Sequence, residues 1–287
     1  MTMGTKRRSR RTPPPCGPYQ LVSRDYEALH AVGRMRIATS KQLVTAGFFG
    51  HPSAASRRIA KLAALGFAGV HCPEMNGPNC VTLTVRGLAL LVGRGAAPNE
   101  LHVARGVVHR DRHLEAINDF RVGLVRAARA RNELTLDLFL ADHDLRRALG
   151  RAARHAAYVP DALVRLRLPA GRELRLAVEL DLGSEWSAHL ASKAHATLEL
   201  ARAQAPLYGL ASPWRPLVLA PTAARLRAIA RVFDETGAGA LWIGALIAEA
   251  TARPFDAVFA LASELAAATP GAPLPLTRRL VPAREGA

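Results

Sequence analysis

The spacing of apolar residues changes along the chain, and this change constrains the fold more than any other feature of the sequence. Within residues 23–93, apolar side chains recur at helical spacing, and an Asn-Gly turn at residues 76–77 separates two short extended runs. After residue 133, short runs of Leu, Val and Ala alternate with amphipathic stretches of helical period. The first pattern predicts a small helical unit with a β-hairpin, and the second predicts an α/β domain around a largely buried mixed sheet.

The helical unit has the element order of a winged helix-turn-helix. Helices are predicted to begin at Ser23, at Thr39 or Ser40, and at Pro52, and another follows the hairpin. The third helix has an apolar stripe for the core, so its polar face is expected to enter the major groove of duplex DNA. The side chains predicted to contact DNA on that face are Ser53, Ser56, Arg57, Arg58 and Lys61.

The distribution of charge supports a nucleic-acid partner. The net charge is +16, and residues 1–105 contain 15 Lys and Arg against 4 Asp and Glu. Such an excess of positive charge favours binding to a polyanion such as double-stranded DNA. Residues 1–22, with five basic residues before a run of three prolines, are predicted to be a disordered basic arm.

Several classes of protein are excluded by composition. No apolar run reaches the ~18 residues of a membrane span, and no apolar stretch follows the basic N-terminus as in a secretory signal. The three cysteines cannot form a closed disulfide framework. We therefore expect a cytoplasmic protein without a membrane partner.

The patterns divide the chain into five regions and predict an α/β class, or α+β when the whole chain is counted. In order, the regions are the basic arm (1–22), the winged helix (23–93), a linker (94–105), the α/β domain (106–270) and a tail (271–287). The α/β domain is predicted to begin with a long helix, followed by strands at 134–140, 161–168, 173–182, 216–220 and 240–246. Further helices are predicted at 142–149, 186–205, 223–234 and 254–268.

Acidic side chains interrupt two apolar strands that a short turn makes neighbours. Asp161 begins one strand, and Glu179 and Asp181 lie near the end of the next. Carboxylates in apolar strands cost free energy unless a partner satisfies them. Lys193, the only lysine after residue 61, lies on the following helix, which Ser184 is predicted to cap. We expect Asp161, Glu179 and Lys193 to converge in one polar site.

These residue types are the parts of a PD-(D/E)xK nuclease site. Asp161 and Glu179, with Asp181 and with Glu115 on the long helix, would hold Mg²⁺, which polarises a phosphate and activates water. Lys193 would orient that water or stabilise the charge of the transition state. Asp181 stands where the pattern has its lysine, so two hypotheses remain. One is an active Mg²⁺-dependent endonuclease, and the other, which we favour, is a degenerate site that binds DNA without cleaving it.

The order of these features along the chain is itself informative. A winged helix is followed by the segment His113-Leu114-Glu115, then by Pro160-Asp161-Ala162, by Glu179-Leu180-Asp181 and by Lys193. This order resembles the replication-relaxation family of bacterial plasmid and mobile-element proteins over about residues 23–210. The resemblance implies a DNA-binding protein of plasmid replication or mobilisation, with a fold similar to restriction endonucleases and a relaxosome or replication protein as partner.

A different class of function is also consistent with the patterns. The long helix predicted over residues 106–131 could join two copies into a homodimer, or it could pack on its own sheet. The protein would then act as an interaction protein or a transcription regulator.

Overall fold

Two sheets organise this α+β protein, a three-stranded antiparallel sheet near the N-terminus and a six-stranded mixed sheet after it. The structure is a computed structural model that describes residues 20–72, 77–104, 108, 111–183, 185–269 and 271–281. The predicted basic arm up to residue 19 and Asn76 of the predicted turn lie outside these residues. The predicted fold class is confirmed.

The smaller sheet belongs to an N-terminal module, which we define as residues 20–104. Its elements are α1 (Ser23–Met35), β1 (Ala38–Thr39), α2 (Ser40–Thr45), α3 (Pro52–Ala64), β2 (Ala68–His71), β3 (Cys80–Leu83) and α4 (Val85–Val92). The strands lie in the order β1-β3-β2. Local sequence determines the helix starts, because the side chain of Thr39 accepts a hydrogen bond from the Gln42 amide and Pro52 occupies the first turn of α3.

Residues 94–104, which belong to the predicted linker, pack against the rest of this module. Leu101 is buried in the same apolar cluster as Leu29 and Leu83. The amide of His102 donates to the carbonyl of Gly33 at 2.9 Å, and Val103 forms a parallel bridge with Leu83. This segment therefore adds a short extended piece to the smaller sheet.

The long helix after it, α5 (Arg112–Arg129), is shorter than predicted. Residues 105–107 and 109–110 lie outside the described residues, and α5 begins where the carboxylate of Asp111 accepts a hydrogen bond from the amide of Leu114. A side-chain acceptor at this position satisfies an amide that the helix leaves without a partner. The capping residue Asp111 therefore defines the start of α5, which lies after the predicted start at residue 106.

The larger sheet has the order β4-β5-β6-β7-β8-β9. Its elements in chain order are β4 (Thr135–Ala141), α6 (Asp142–Leu149), β5 (Ala162–Arg167), β6 (Glu173–Leu180), α7 (Ser187–Arg202), β7 (Arg215–Ala220), α8 (Ala223–Glu235), β8 (Ile243–Leu246), α9 (Ile247–Ala252), β9 (Ala260–Leu261) and α10 (Ala262–Ala267). The pairs β6–β7 and β7–β8 are parallel, and the other pairs are antiparallel. Helix α5 covers one face, and α7 and α8 cover the other, so the central strands are buried on both sides.

The C-terminal part differs most from the prediction. The helix predicted at 254–268 is wrong, because a turn, β9 and the short α10 occupy those residues. The strand predicted at 240–246 is confined to β8, and α9 follows it directly. A short, uninterrupted apolar run does not distinguish a buried strand from a buried helix by its period, and residues 240–248 form such a run.

Side-chain amides join the N-terminal module to α5. Gln42 Nε2 donates to the carbonyl of Glu115 at 3.0 Å and to Asp119 Oδ1 at 2.9 Å. Asn118 Nδ2 donates to the carbonyls of Met35 at 3.1 Å and Ile37 at 2.9 Å. Since a buried carbonyl without a donor is costly, these contacts fix the position of the module on α5.

Candidate functional site

Strand pairing brings the predicted acidic residues to one place in the larger sheet. Ala162 of β5 is opposite Val178 of β6, and the preceding Asp161 therefore lies opposite Glu179. Lys193, in the second turn of α7, places its Nζ 2.5 Å from Glu179 Oε2 and 2.6 Å from Glu185 Oε1. We call Asp161, Glu179, Glu185 and Lys193 the acidic site.

Glu179 has an unusual environment for a carboxylate. The residue is only 4% exposed, and its Oε1 atom is buried. Burial, followed by the charge of Asp161, raises the pKa of Glu179 to about 8, although Lys193 acts in the opposite direction. Burial alone would lower the pKa of Lys193, but the carboxylates of Glu179 and Glu185 raise it above its usual value. Lys193 is therefore charged throughout the physiological range.

A tyrosine hydroxyl lies behind the carboxylate. The side-chain oxygen of Tyr158 is buried next to Glu179. Burial, and after it the charge of Glu179 and a hydrogen bond with its carboxylate, raise the pKa of this hydroxyl well above its usual value. Tyr158 therefore borders the acidic site on its buried side.

His113 reaches the same site from α5, which sequence reasoning did not anticipate. Its Nε2 lies 2.9 Å from the carbonyl of Leu180 and 3.2 Å from Asp161 Oδ2. The hydrogen bond with Asp161 outweighs burial and raises the pKa of His113 to about 9. Asp161 Oδ2 also accepts a hydrogen bond from the amide of Leu180 at 2.8 Å. The available signal was the position of His113 in the segment that carried the family resemblance.

Asp181 is held by a different partner. Arg225 of α8 places its Nε 2.9 Å from Asp181 Oδ2, and its Nη2 contacts the same oxygen. The Nη2 atom also donates to the carbonyl of Glu185 at 2.6 Å. Asp181 is 2% exposed, so this ion pair compensates a buried charge. The structure therefore places Asp181 in a contact that supports the loop before α7.

Glu115 lies on the side of α5 that faces the N-terminal module. Its carbonyl accepts the hydrogen bond from Gln42, and its charge helps burial to raise the pKa of Asp119. Residues two apart on a helix point about 200° apart, so Glu115 and His113 occupy different faces. The His113 side chain contacts Asp161 of the acidic site, and Glu115 as a metal ligand stays a prediction.

The polar face of α3 is the second predicted site. Ser53, Ser56, Arg57 and Lys61 are exposed on it. Arg58 instead forms a two-point ion pair with Asp25 of α1, with Nε 2.5 Å from Oδ1 and Nη2 in contact with Oδ2. Asp25 is fully buried, so Arg58 neutralises a charge inside the N-terminal module.

A shallow cleft beside α3 collects positive charge. It has a volume of about 380 Å³, and its walls come from α1, the turn before α3 and α3 itself. The basic residues that line it are Arg24, Arg57, Arg58 and Lys61. This surface is suited to a phosphate group.

Another group of possible ligand atoms lies at the junction of the two sheets. Atoms of His102, His143 and Asp144 lie within 4.8 Å of one another. The guanidinium of Arg147 contacts the ring of His102, and His102 Nε2 lies 2.7 Å from Asp144 Oδ1. Because Arg147 brings its positive charge to this group, we interpret it as a polar contact between α6 and the N-terminal module.

The fold and these sites define an α+β protein with a buried carboxylate–lysine site on a mixed sheet and a basic helix face on a separate module. The family model described as replication-relaxation matches residues 29–210, more than half of the sequence, and the chain belongs to that family. The match includes α3, Asp161, Glu179 and Lys193. No curated protein and no solved structure matches the chain. Among the described residues, every helix is too short or too polar to cross a membrane.

Proposed function

We propose that this protein binds duplex DNA during the replication or mobilisation of a plasmid or mobile element. The N-terminal module is interpreted as a winged helix-turn-helix with α3 as its recognition helix. The observation that carries this proposal is the exposed face of α3, where Arg57 and Lys61 project opposite a buried stripe that includes Ile59. Membership of the replication-relaxation family supports a role in replication or mobilisation.

The geometry of the module suits a DNA groove. Helix α3 has 13 residues, a length of about 20 Å, and it packs against α2 and β2. The basic cleft between α1 and α3 lies beside this face, so a phosphate there would accompany a helix inserted in the major groove. Phosphate contacts of this kind, from Arg57 and Lys61, position the helix, while Ser53 and Ser56 would contact base edges.

The test is fluorescence anisotropy with labelled duplex DNA at several salt concentrations. The double variant Arg57→Ala/Lys61→Ala should weaken binding and reduce the slope of log affinity against log salt by about 1.8, or 0.9 per lost phosphate contact. The matched control is Arg172→Ala/Arg231→Ala, which removes the same charge from exposed positions of the sheet region. Equal affinity and equal slope for both double variants would contradict the proposal.

A nuclease at the acidic site is the second candidate, because the buried carboxylate of Glu179 lies beside that of Asp161. Carboxylate oxygens are the ligands that Mg²⁺ prefers, so Asp161 and Glu179 fit this ion by residue type. When bound, Mg²⁺ would polarise a phosphate and lower the pKa of a water molecule. The charged Lys193 would stabilise the negative charge that develops on the phosphate.

One contact argues for a degenerate site. Lys193 Nζ lies 2.5 Å from Glu179 Oε2, so the positive charge of the lysine already compensates the carboxylate that a metal ion would need. Lys193 also pairs with Glu185, and Asp181 pairs with Arg225, so these carboxylates already have cationic partners. We therefore favour DNA binding without cleavage.

Plasmid cleavage separates these two candidates. Wild-type protein with Mg²⁺ or Mn²⁺ is expected to leave supercoiled plasmid intact, while still binding it. Metal-dependent nicking that is lost in Glu179→Gln and kept in Glu199→Gln, an exposed glutamate of α7, would establish the nuclease instead.

The homodimer also remains a proposal, and the contacts of α5 within its own chain restrict the surface that a dimer could use. The N-terminal module, β4, β6 and α9 all pack against α5, so this helix is engaged within its own chain. A dimer would have to use another surface, and light scattering over a range of concentrations would show whether one forms.

A further inference from the structure

A second cleft lies between α1, the residues that follow α4, and α5. It has a volume of about 730 Å³, which is within the range of small-molecule sites in proteins. It is lined on one side by Tyr26 and Phe48, and arginines from three elements surround it. These are Arg34 of α1, Arg94 after α4, and Arg121 and Arg129 of α5.

Positive charge in this cleft is poorly compensated. Arg121 Nη1 donates to the carbonyl of Arg34 at 3.0 Å, and its guanidinium lies over the ring of Phe139 at 5.2 Å. Within the described part of the chain, no carboxylate forms an ion pair with Arg121, Arg129 or Arg94. Glu27 is the one carboxylate that lines the cleft.

Burial makes this imbalance costly. Burial, and after it the neighbouring charge of Arg34, lower the pKa of Arg121 to about 10, although the more distant charge of Asp144 acts in the opposite direction. Arg34 is paired with Glu100, but the Glu100 side chain is 51% exposed and lies outside the cleft lining. A charge removed from water is stabilised when an opposite charge joins it. The electrostatics of the cleft therefore favour an anion.

The other wall favours an aromatic ring. The guanidinium of Arg94 stacks 3.7 Å from the centre of the Tyr26 ring, and that of Arg129 lies 5.8 Å from the centre of the Phe48 ring. Stacked pairs of this type present flat surfaces on which a further ring can lie. Arginine also offers paired donors that match the oxygens of a phosphate.

We propose that this cleft binds a small phosphorylated aromatic ligand of the size of a nucleotide. Arg121, Arg129 and Arg34 bind the phosphates, and the pair of Tyr26 and Arg94 holds the ring. The site is separate from the proposed DNA surface, because Asp25 of α1 binds Arg58 of α3 while the neighbouring Tyr26 faces this cleft. Since α1 and α5 both contribute, the ligand stabilises the docking of the N-terminal module on the larger sheet.

Isothermal titration calorimetry with ATP, and separately with pyrophosphate, tests the site on the full chain. We expect saturable binding of ATP, weakened at least tenfold in Arg94→Gln and in Arg129→Gln. Arg231→Gln, an exposed arginine of α8, should bind as the wild type does. Arg94→Gln changes an exposed residue, and its thermal midpoint should match that of the control. Arg129→Gln also removes a hydrogen bond to the carbonyl of Ala46, so Arg94→Gln is the variant that separates ligand binding from stability.

A competition experiment distinguishes a free ligand from the phosphates of DNA. Duplex DNA at saturating concentration should leave ATP binding unchanged, in wild type and in Arg57→Ala/Lys61→Ala alike. Displacement of ATP by the duplex would assign the arginines to the path of DNA and would overturn the proposal. Absence of saturable binding by ATP and pyrophosphate, or equal weakening in Arg231→Gln, would overturn it too.

Discussion

At the scale of single residues, Asp25 shows how an arginine on the predicted DNA face serves the fold. Asp25 is fully buried, accepts from the amide of Val22 at 2.9 Å, and pairs with both ends of the Arg58 guanidinium. Arg58→Ala leaves this carboxylate without its ion partner, and we expect a loss of about 3 to 5 kcal/mol in the free energy of unfolding. Urea denaturation measures the loss. The neighbouring Arg57→Ala, at an exposed position, should change stability by less than about 0.5 kcal/mol, and similar values for the two variants would contradict the assignment.

His143 makes stability depend on pH in the acid range. Burial lowers the pKa of His143 to about 4, below the 6.5 of an exposed histidine, although Asp144 acts in the opposite direction. Between pH 6.5 and 4 the unfolded chain takes up a proton that the folded chain refuses, so stability falls as the pH decreases through this window. The contribution is about 3 kcal/mol and is fully present above pH 6.5. Thermal midpoints of His143→Gln should fall less from pH 7 to pH 5 than those of wild type, whereas the exposed His195→Gln should follow wild type.

At the scale of secondary-structure elements, α5 and α9 approach so closely that only glycine fits between them. A Cβ at Gly123 of α5 would lie 2.3 Å from the carbonyl oxygen of Thr251. In a helix without such a close neighbour, a Gly→Ala substitution increases the stability of the folded protein by about 0.5 to 1 kcal/mol. Here we expect Gly123→Ala to lower the free energy of unfolding by about 1 to 3 kcal/mol, because α9 must move away to make room for the methyl group. Chemical denaturation decides the sign, and a stabilised variant would show that the helices separate without cost.

The elements that the sequence predicted best are those with local signals. Thr39, Gln42 and Pro52 define helix starts through contacts within one turn, and these starts are present in the structure. The turn between β5 and β6 predicted their antiparallel pairing, and with it the position of Asp161 opposite Glu179. Helix α9 and strand β9 were missed, because they are only six and two residues long and their structure depends on the neighbouring sheet.

The sequence predicted only part of the acidic site, because some of its contacts come from elements that are distant in sequence. Lys193 was expected near Glu179, because α7 has to fold back over the strand that precedes it. His113 and Arg225 reach the site from α5 and α8, which are 48 residues from Asp161 and 44 residues from Asp181 in sequence. The rotation of each helix about its axis depends on packing across the whole sheet. No local pattern carries that information.

At the scale of the whole molecule, the excess of arginine has several uses besides DNA. Arg225 compensates Asp181 beside the acidic site, and Arg58 compensates Asp25 within the N-terminal module. Arg121 and Arg129 join that module to α5 through backbone carbonyls. The net charge of +16 therefore overstates the surface available to DNA. Salt dependence measured on matched arginine variants is a better guide than the pI.

The contact between α5 and the N-terminal module also determines how the molecule unfolds. Val122 of α5 is buried in the core of the N-terminal module, while Phe120 and Leu124 of the same helix are buried against the larger sheet. Because one helix belongs to both cores, we expect a single calorimetric unfolding transition for the full chain.

Removal of the amide contacts should separate that transition into two. Gln42→Ala/Asn118→Ala removes the side-chain donor of the Ile37 carbonyl, while the Met35 carbonyl keeps its hydrogen bond from the Ile37 amide. We expect a cost of about 1 to 3 kcal/mol for the lost buried partner. We expect differential scanning calorimetry of this variant to show an early transition of the N-terminal module, followed by a later one of the larger sheet. Asn132→Ala, which removes an exposed amide between α5 and β4, should keep a single transition. A single, uniformly lowered transition in the double variant would mean that the apolar contacts of Val122 are sufficient to couple the two cores.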